Sequence, residues 1–252
     1  MERYGSVIRE FGERRDSRTR IVGLDTGLVI KQAADAQAVE WLRNAAAFHA
    51  AVRHPAIAAV VDTFETPDGG FGLVEQWAPG EILVDGYDPS VPDREALDSP
   101  FQRLLALPAD EIAAVIAELI DAHVAVAAAG FVPVDLYDGC IIYDFAQRRL
   151  SLIDLDHYRP GPYVLDVDRQ IGSTSVMAPE ELQRGATIDE RSTVFTLGRF
   201  ALVYLGCARH EPPSREQFRG TQAPWEVALA ATRPEPDQRI QTVAELAARW
   251  SA

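Results

Sequence analysis

The sequence of 252 residues has two cysteines, a single lysine and no apolar run of the ~20 residues that a membrane-spanning helix needs. Cys140 and Cys207 show no metal-type spacing, so neither a disulfide framework nor a zinc site is expected. The first residues, MERYGSVIREFGERR, are charged and lack the apolar segment of a signal peptide. These absences predict a cytoplasmic protein without a membrane partner.

Positive charge is also in short supply, because the formal net charge is −14. Such an excess of carboxylates argues against nucleic acid as a partner, since phosphate backbones bind basic surfaces. The composition is otherwise typical of a globular protein, with 47% hydrophobic and 25% charged residues. The length allows one large core or two smaller ones.

The lone lysine, Lys31, lies in the stretch GLVIKQAAD, and every other basic residue except histidine is arginine. One explanation is a genomic bias toward arginine that left one lysine by chance. The other is a site shaped for an ammonium group, which is a compact point charge, whereas a guanidinium is a broad planar fork. The residue alone does not decide between them.

Hydrophobic patterning divides the chain at about residue 77. The first part predicts short strands in GSVIREF, TRIVGL, GLVIKQ, IAAVVDTFE and GFGLVEQW, with one helix in DAQAVEWLRNAAAFHAAV. After the linker APGE, a long helix is predicted up to Gly130, then the strands GCIIYDF and LSLIDLD, a loop over 157–176, and three further helices. A mixed part followed by a mainly helical part predicts a cleft between them, where small-molecule sites commonly lie.

This order resembles the protein-kinase-like fold, and the chain is similar to a divergent member of the bacterial serine/threonine protein kinase-like family. The resemblance implies an α+β, bilobal fold. A small β-rich N-terminal lobe with one main helix would span residues 1–77, and a larger, mainly helical C-terminal lobe would span 78–252. The segment LVIK resembles the V-A-I-K strand, whose lysine holds ATP phosphates, and this implies that role for Lys31. An exposed strand end is the alternative.

Two further features of the N-terminal part follow from the resemblance. Family members pair the lysine with a glutamate on the next helix, and Glu40 is the candidate; its alternative is a surface contact with Arg43. FGLVEQWAPGEIL resembles the strand and hinge that hold adenine. By that match the backbone of Glu75 and Trp77 would bind the base, and Val74 would be the gatekeeper residue beside it, unless the segment is an ordinary strand and linker.

The segment AAGFVPVDLYDGCIIYD resembles the catalytic loop H-R-D-L-x-x-x-N and places Asp135 at the catalytic aspartate, which orients the acceptor hydroxyl. Pro133 and Val134 replace its His and Arg. Tyr137 stands where a lysine usually assists the γ-phosphate. Cys140 replaces the metal-binding Asn, and a thiol is a poor ligand for a hard cation.

LSLIDLDHY resembles the D-F-G segment, which makes Asp154 the expected Mg²⁺ ligand. Asp156 replaces the glycine; it either supplies a second oxygen ligand in compensation for Cys140 or is a solvated turn residue. The glycine-rich phosphate loop is the weakest match, because EFGERRDSRTR contains only Gly12. Arg14 or Arg15 would reach the phosphates or lie in solvent, and no site is assigned to them.

The most specific local match is GSTSVMAPEE, which resembles G-T-x-x-Y-M-A-P-E. In relatives its last glutamate pairs with an arginine in a late segment, which predicts a buried ion pair between Glu180 and Arg239. STVFTLGRFALVYLG resembles the following helix, although Thr193 replaces its aspartate. These late features are typical of protein kinases, whereas aminoglycoside-type phosphotransferases usually lack them.

The resemblance therefore implies an ATP- and Mg²⁺-dependent phosphotransferase that acts on serine or threonine hydroxyls of a protein. Two alternatives remain open. One is a kinase for a small molecule such as an antibiotic or a metabolite, allowed by the short chain and divergent catalytic loop. The other is a pseudokinase that binds or scaffolds, favoured by the glycine-poor loop and by Cys140.

Overall fold

The computed structural model describes residues 2–11, 18–33, 35–85 and 92–251. The first part forms a five-stranded antiparallel sheet of order β1-β2-β3-β5-β4 with one helix. Its elements are β1 (Val7–Phe11), β2 (Thr19–Leu24), β3 (Leu28–Ala33), α1 (Ala36–Ala51), β4 (Val60–Glu65) and β5 (Phe71–Gln76). The predicted strands and helix of this part are confirmed within a few residues.

Strand register decides which side chains face the helix. In the pairing of β3 with β5, Lys31 lies opposite Leu73 and Val29 lies opposite Glu75. Because side chains alternate between the faces of a sheet, these four share one face. Leu73 packs there against Leu42 of α1, so the face that carries Lys31 and Glu75 is the face that α1 covers.

Helix α1 begins where the Asp35 carboxylate accepts a hydrogen bond from the Ala38 amide at 2.9 Å, which satisfies one of the free amides of the first turn. Ala38, Leu42 and Ala45 then recur at spacings of three or four and are fully buried. Phe48, one turn further, is also fully buried, but it belongs to the core of the second part of the chain. The helix therefore joins the sheet to that core.

The second part is mainly helical. Its largest hydrophobic cluster is built by its four longest helices together with the strands around residues 141–152. The elements are β6 (Glu81–Ile82), α2 (Pro100–Leu105), α3 (Ala109–Ala128), β7 (Phe131–Val132), β8 (Ile141–Asp144), β9 (Arg149–Leu152), β10 (Arg159–Pro160), β11 (Tyr163–Val164), β12 (Thr187–Ile188), α4 (Glu190–Tyr204), α5 (Gln222–Ala231) and α6 (Val243–Trp250). Strands β6, β8 and β9 form one small sheet, while β7 pairs with β10 and β11 with β12.

The fold is thus mixed α+β, as predicted, and the division at residue 77 stays a prediction. Helix α2 and the two-residue strands were not predicted, because such short segments have no periodicity to detect. The predicted loop over 157–176 contains β10 and β11, whose strand partners lie elsewhere in the chain. Helices in the described part of the chain all fall short of the length and apolar character that crossing a bilayer requires.

The predicted ion pair between Glu180 and Arg239 is confirmed. Arg239 donates to both carboxylate oxygens of Glu180, at 2.6 and 2.8 Å, and both residues are buried. Ser192 of α4 adds a hydrogen bond to the same carboxylate at 2.7 Å. Burial by itself would raise the pKa of Glu180, but the hydrogen bonds from Arg239 and Ser192 lower it. The pair ties the MAPEE segment to the helical part.

We expect Arg239→Ala to destabilise the protein by roughly 3–5 kcal/mol, because it leaves the buried Glu180 carboxylate without its counter-charge. The matched control is Arg249→Ala, which removes an arginine from an exposed pair with Glu245 on α6; exposed pairs contribute about 0–1 kcal/mol. Denaturant unfolding monitored by circular dichroism measures both. Equal midpoints for the two variants would show that the Glu180 pair contributes no more than a surface pair.

Candidate functional site

Lys31 lies in a buried group of carboxylates. Only 4% of its surface is exposed. Its ammonium nitrogen is 2.9 Å from Asp156 Oδ1, 3.1 Å from Asp154 Oδ1 and 3.7 Å from Glu75 Oε1. Burial would lower the pKa of Lys31, but the fields of these carboxylates outweigh it and hold the pKa well above its ordinary value. The lone lysine is therefore a charged, fixed group and not an exposed strand end.

One ammonium faces three carboxylates, so the group carries surplus negative charge when all are ionised. Burial raises the pKa of Glu75 to about 7, against the lowering effect of Lys31. Burial likewise raises the pKa of Asp156. Such crowding of buried acids is costly for folding alone and is typical of functional sites.

A cavity of about 300 Å³ opens beside this group. Lys31, Glu75 and Asp154 line part of it, and apolar and aromatic side chains line most of the rest, together with the polar or charged side chains of Arg9, Gln76, Glu81 and Asp85. Those wall residues are Phe11, Ile21, Val29, Trp77, Ala78, Ile82, Ile142 and Ile153. A cavity with apolar walls and a few charged side chains suits a flat ring that carries a charged group.

Trp77 forms part of the wall because β2 leaves room for its ring. A Cβ on Gly23 would lie 2.0 Å from a ring atom of Trp77, so only glycine fits there. Phe11 of β1 packs on the same ring with centroids 5.8 Å apart. The backbone of Trp77 is already engaged, since its amide donates to the Gly27 carbonyl at 2.9 Å. The Trp77 ring therefore lines the cavity while its amide is bonded within the protein, and binding of a base by the backbone of Trp77 stays a prediction.

The expected gatekeeper is corrected by the strand register. Val74 lies on the face opposite to Lys31, where it packs with Val22, Leu24 and Ile30. Its neighbour Glu75 points into the cavity, and its backbone lies between Val29 and Val60. Side chains of neighbouring residues in a strand point to opposite faces of the sheet. A shift of one residue in the alignment with the family motif therefore exchanges the positions assigned to Val74 and Glu75.

The predicted pair between Lys31 and Glu40 is wrong in this structure. Glu40 is exposed, and its carboxylate accepts a hydrogen bond from Gln37 at 3.1 Å. It lies two positions from both Ala38 and Leu42, about 200° around the helix from each, so it points away from the buried face. The alternative contact is not formed either, because Arg43 pairs with Glu65 at 2.9 Å.

Asp154 and Asp156 face different surroundings. Asp154 lines the cavity with 29% of its side chain exposed, and its φ of 60° is in the left-handed region that non-glycine residues seldom adopt. Asp156 is buried beside Lys31. A hard cation is commonly held by one or two carboxylates together with phosphates and water, and Asp154 fits that pattern. A metal role for Asp156 stays a prediction; its contact here is with Lys31.

Asp135 lies in a different pocket. It is half-buried, has a φ of 62° and lines a small cavity of about 10 Å³ with Gly172 and Met177. The Cys140 thiol donates to the Asp135 carbonyl oxygen at 3.2 Å. Burial, with Asp154 and Asp135 nearby, raises the pKa of this thiol, so it is a neutral donor in this structure. Backbone strain at both Asp135 and Asp154 supports a functional role for the two loops.

Asp138 is a further buried carboxylate, and the sequence does not predict it. It is fully buried in the loop that carries Asp135 and accepts hydrogen bonds from Arg94 at 2.8 Å and Tyr204 at 2.9 Å. Arg209 forms an ion pair with it at 2.9 Å and also donates to the Ser175 hydroxyl. These partners lie in separate segments, so no local pattern in the sequence predicts them.

Asn44 of α1 is another site residue without a sequence signal; its amide bonds the backbone of residues 156 and 158. The phosphate-loop candidates Gly12, Arg14 and Arg15 lie outside the described residues. Compared with known proteins, the chain matches no protein-family model. It also matches no curated protein.

The pKa of Glu181, beside the Asp135 cavity, predicts a pH-dependent stability. Burial raises this pKa from 4.5 to about 7, although the carboxylate accepts a hydrogen bond from the Ala178 amide at 2.7 Å. Between these values the folded protein keeps a proton that the unfolded chain has lost, so stability falls as pH rises through this window. A tenfold difference in proton affinity between the folded and unfolded states corresponds to about 1.4 kcal/mol of stability.

Glu181→Gln cannot ionise but still offers an acceptor to Ala178, so we expect it to gain stability relative to the parent between pH 5 and pH 8. Denaturant unfolding at both pH values measures this change. Glu226→Gln, at an exposed position on α5, is the control. Parallel pH curves for the parent and Glu181→Gln would show that Glu181 is ionised at little cost.

Proposed function

We propose that the chain has a protein-kinase-like, bilobal fold and is an ATP-dependent phosphotransferase that uses Mg²⁺ and acts on serine or threonine hydroxyls of a protein. The observation that carries the proposal is the 3.1 Å contact between Lys31 and Asp154, which are 123 residues apart, in the lining of a cavity with mostly apolar walls. A cation for phosphates and a carboxylate for a metal are the two charges that phosphoryl transfer requires side by side.

The cavity supports nucleotide binding. The rings of Trp77 and Phe11 and the branched side chains around them offer flat apolar walls to a base. Lys31 and Arg9 are the basic side chains among the described residues that line the cavity, and Lys31 is the one that contacts Asp154. With a base against these walls, the phosphates would be bound by Lys31, whose ammonium the surrounding carboxylates hold in place.

Asp154 is the residue that would hold magnesium, because its carboxylate reaches the cavity. The metal, when bound, neutralises charge on the β- and γ-oxygens. Asp135 would orient the acceptor hydroxyl and receive its proton late in transfer. Asp135 lies beside Gly172 and Met177 and does not line the nucleotide cavity, so we propose that the acceptor approaches along the 172–177 segment.

A protein acceptor is favoured by the way the MAPEE segment is anchored. The Glu180–Arg239 pair fixes this segment to the helical part, so the backbone beside Asp135 has a defined course. A segment with a fixed backbone course next to Asp135 can act as a binding surface for an extended peptide. A small-molecule acceptor has no need of one.

A second function, nucleotide binding without transfer, is favoured by a specific contact. Lys31 already bonds the buried Asp156, so part of its charge is neutralised before any phosphate arrives. Cys140 also places a thiol, a poor ligand for a hard cation, where the resemblance implies a second metal ligand. This pseudokinase hypothesis predicts binding of ATP but no product.

Lys31→Met and Asp154→Asn should weaken binding of Mg²⁺-ATP by about tenfold or more, equivalent to roughly 1.4 kcal/mol. Asp135→Asn should keep nearly the parental affinity, because Asp135 meets the acceptor, but reduce transfer by about 100-fold or more. Calorimetric titration gives the affinities, and phosphate incorporation into peptide acceptors gives the rates. Asp121→Asn, an exposed aspartate on α3, is the control.

The outcomes separate the candidates. Equal losses of affinity in Asp135→Asn and Asp154→Asn would refute the division of roles between them. Tight binding of ATP by the parent protein with no transfer to any acceptor would leave the pseudokinase function. Parental affinity in Lys31→Met would show that the lone lysine has no role with phosphates.

A further inference from the structure

Helix α1 contacts the segment after β9 through a carboxamide. Asn44 Nδ2 donates to the carbonyl oxygen of Asp156 at 3.1 Å and to that of Tyr158 at 2.6 Å. On either side of Asn44 the helix packs on the same segment by ring contacts. Trp41 meets His157 with centroids 4.9 Å apart, and Phe48 meets Tyr158 at 5.1 Å. The backbone of residues 156 and 158 is thus bonded to α1, and the rings of His157 and Tyr158 pack on the same helix.

Asp156 joins that fixed backbone to the lysine. Its carbonyl is held by Asn44, and its carboxylate is 2.9 Å from Lys31 Nζ, the shortest of the three contacts of the ammonium. Both Asp156 and Lys31 are buried. A short hydrogen bond between two buried charges restricts the ammonium far more than a contact exposed to water.

We propose that Asn44 and Asp156 are positioning residues for Lys31, so that α1 controls the phosphate lysine through Asp156 and not through an acidic side chain of its own. The importance of Lys31 for nucleotide rests on the proposed function; the relay itself is a statement about contacts within this chain.

The other two carboxylates are less suited to this role. Asp154 is partly exposed to the cavity and is the group that a magnesium ion and phosphates would engage, so its contact with Lys31 would compete with ligand. Glu75 is the most distant, at 3.7 Å, and lies on β5, which does not depend on the position of Asn44. Asp156 is the partner that can remain on Lys31 while the nucleotide site is in use.

The single lysine makes the test direct, because protein labelled with ¹⁵N-lysine has only one side-chain ammonium to give a signal. In the parent protein without nucleotide, we expect one ammonium resonance with slow proton exchange. Asp156→Asn keeps the volume but removes the charge, and Asn44→Ala removes the bonds from α1. Each should shift the resonance and speed its exchange, and each should weaken Mg²⁺-ATP binding at least severalfold.

A double-variant comparison separates a relay from general loosening. If Asn44 acts through Asp156, Asn44→Ala should change the resonance in the parent but add little in the Asp156→Asn background. If the two substitutions act independently, their changes in the lysine resonance should add in the double variant. Asp121→Asn is the matched aspartate control, and melting temperatures identify any variant that fails to fold. Should Asn44→Ala unfold, the resonance and affinity of the isosteric Asp156→Asn still decide the central contact.

An unchanged lysine signal in folded Asp156→Asn would overturn the proposal. So would a change in Glu40→Gln that equals the change in Asp156→Asn, since it would restore a direct partner on α1. Because the resonance is recorded without nucleotide, a parent protein that binds no ATP would refute the proposed function while the lysine signal still tests the relay.

Discussion

The site depends on one buried ammonium that is shared by three carboxylates. An isolated charge cannot be buried at acceptable cost, so Lys31 requires acidic partners, and each buried acid requires Lys31 in return. These partners come from β5 and from the segment after β9, which brings the sheet and the second part of the chain together at one point. An arginine would place a broad fork where the three acids converge on a single nitrogen, which gives the lone lysine a physical reason.

Packing around α1 maintains this geometry. The helix buries Leu42 and Ala45 against the sheet and contributes Phe48 to the larger core, so neither part can move without disturbing the other. Its polar contact through Asn44 reaches the same segment that supplies Asp154 and Asp156. The arrangement combines apolar packing, which brings the parts together, with a few directional bonds, which fix the charged atoms.

Buried charge pairs recur away from the cavity. Glu180 with Arg239 anchors the MAPEE segment, and Asp138 with Arg94 and Arg209 holds the loop of Asp135. Loops have little apolar surface to bury, so bonds of this kind are an effective way to fix their course. The left-handed backbone at Asp135 and Asp154 occurs in the two loops that these contacts and the Lys31 group restrain.

The sequence alone determined the features that arise from neighbours along the chain. Alternating strands, the spacing of Ala38, Leu42 and Ala45 with the Asp35 cap, and the mixed α+β class all follow from local patterns. The pairing of Glu180 with Arg239, implied by motif resemblance, also holds. The same resemblance identified Lys31, Asp135 and Asp154 as candidate site residues.

Tertiary structure alone decided which groups meet around Lys31. Whether Val74 or Glu75 faces Lys31 depends on the register of β5, and a shift of one residue reverses the answer. Glu40 is excluded by the rotation of α1, which turns it to solvent while its neighbours pack on the sheet. Asp156 becomes the partner of Lys31 because Asn44 and the strands bring distant segments together. Charge pairing of this kind depends on distances between segments that are far apart along the chain. Local sequence patterns do not report these distances.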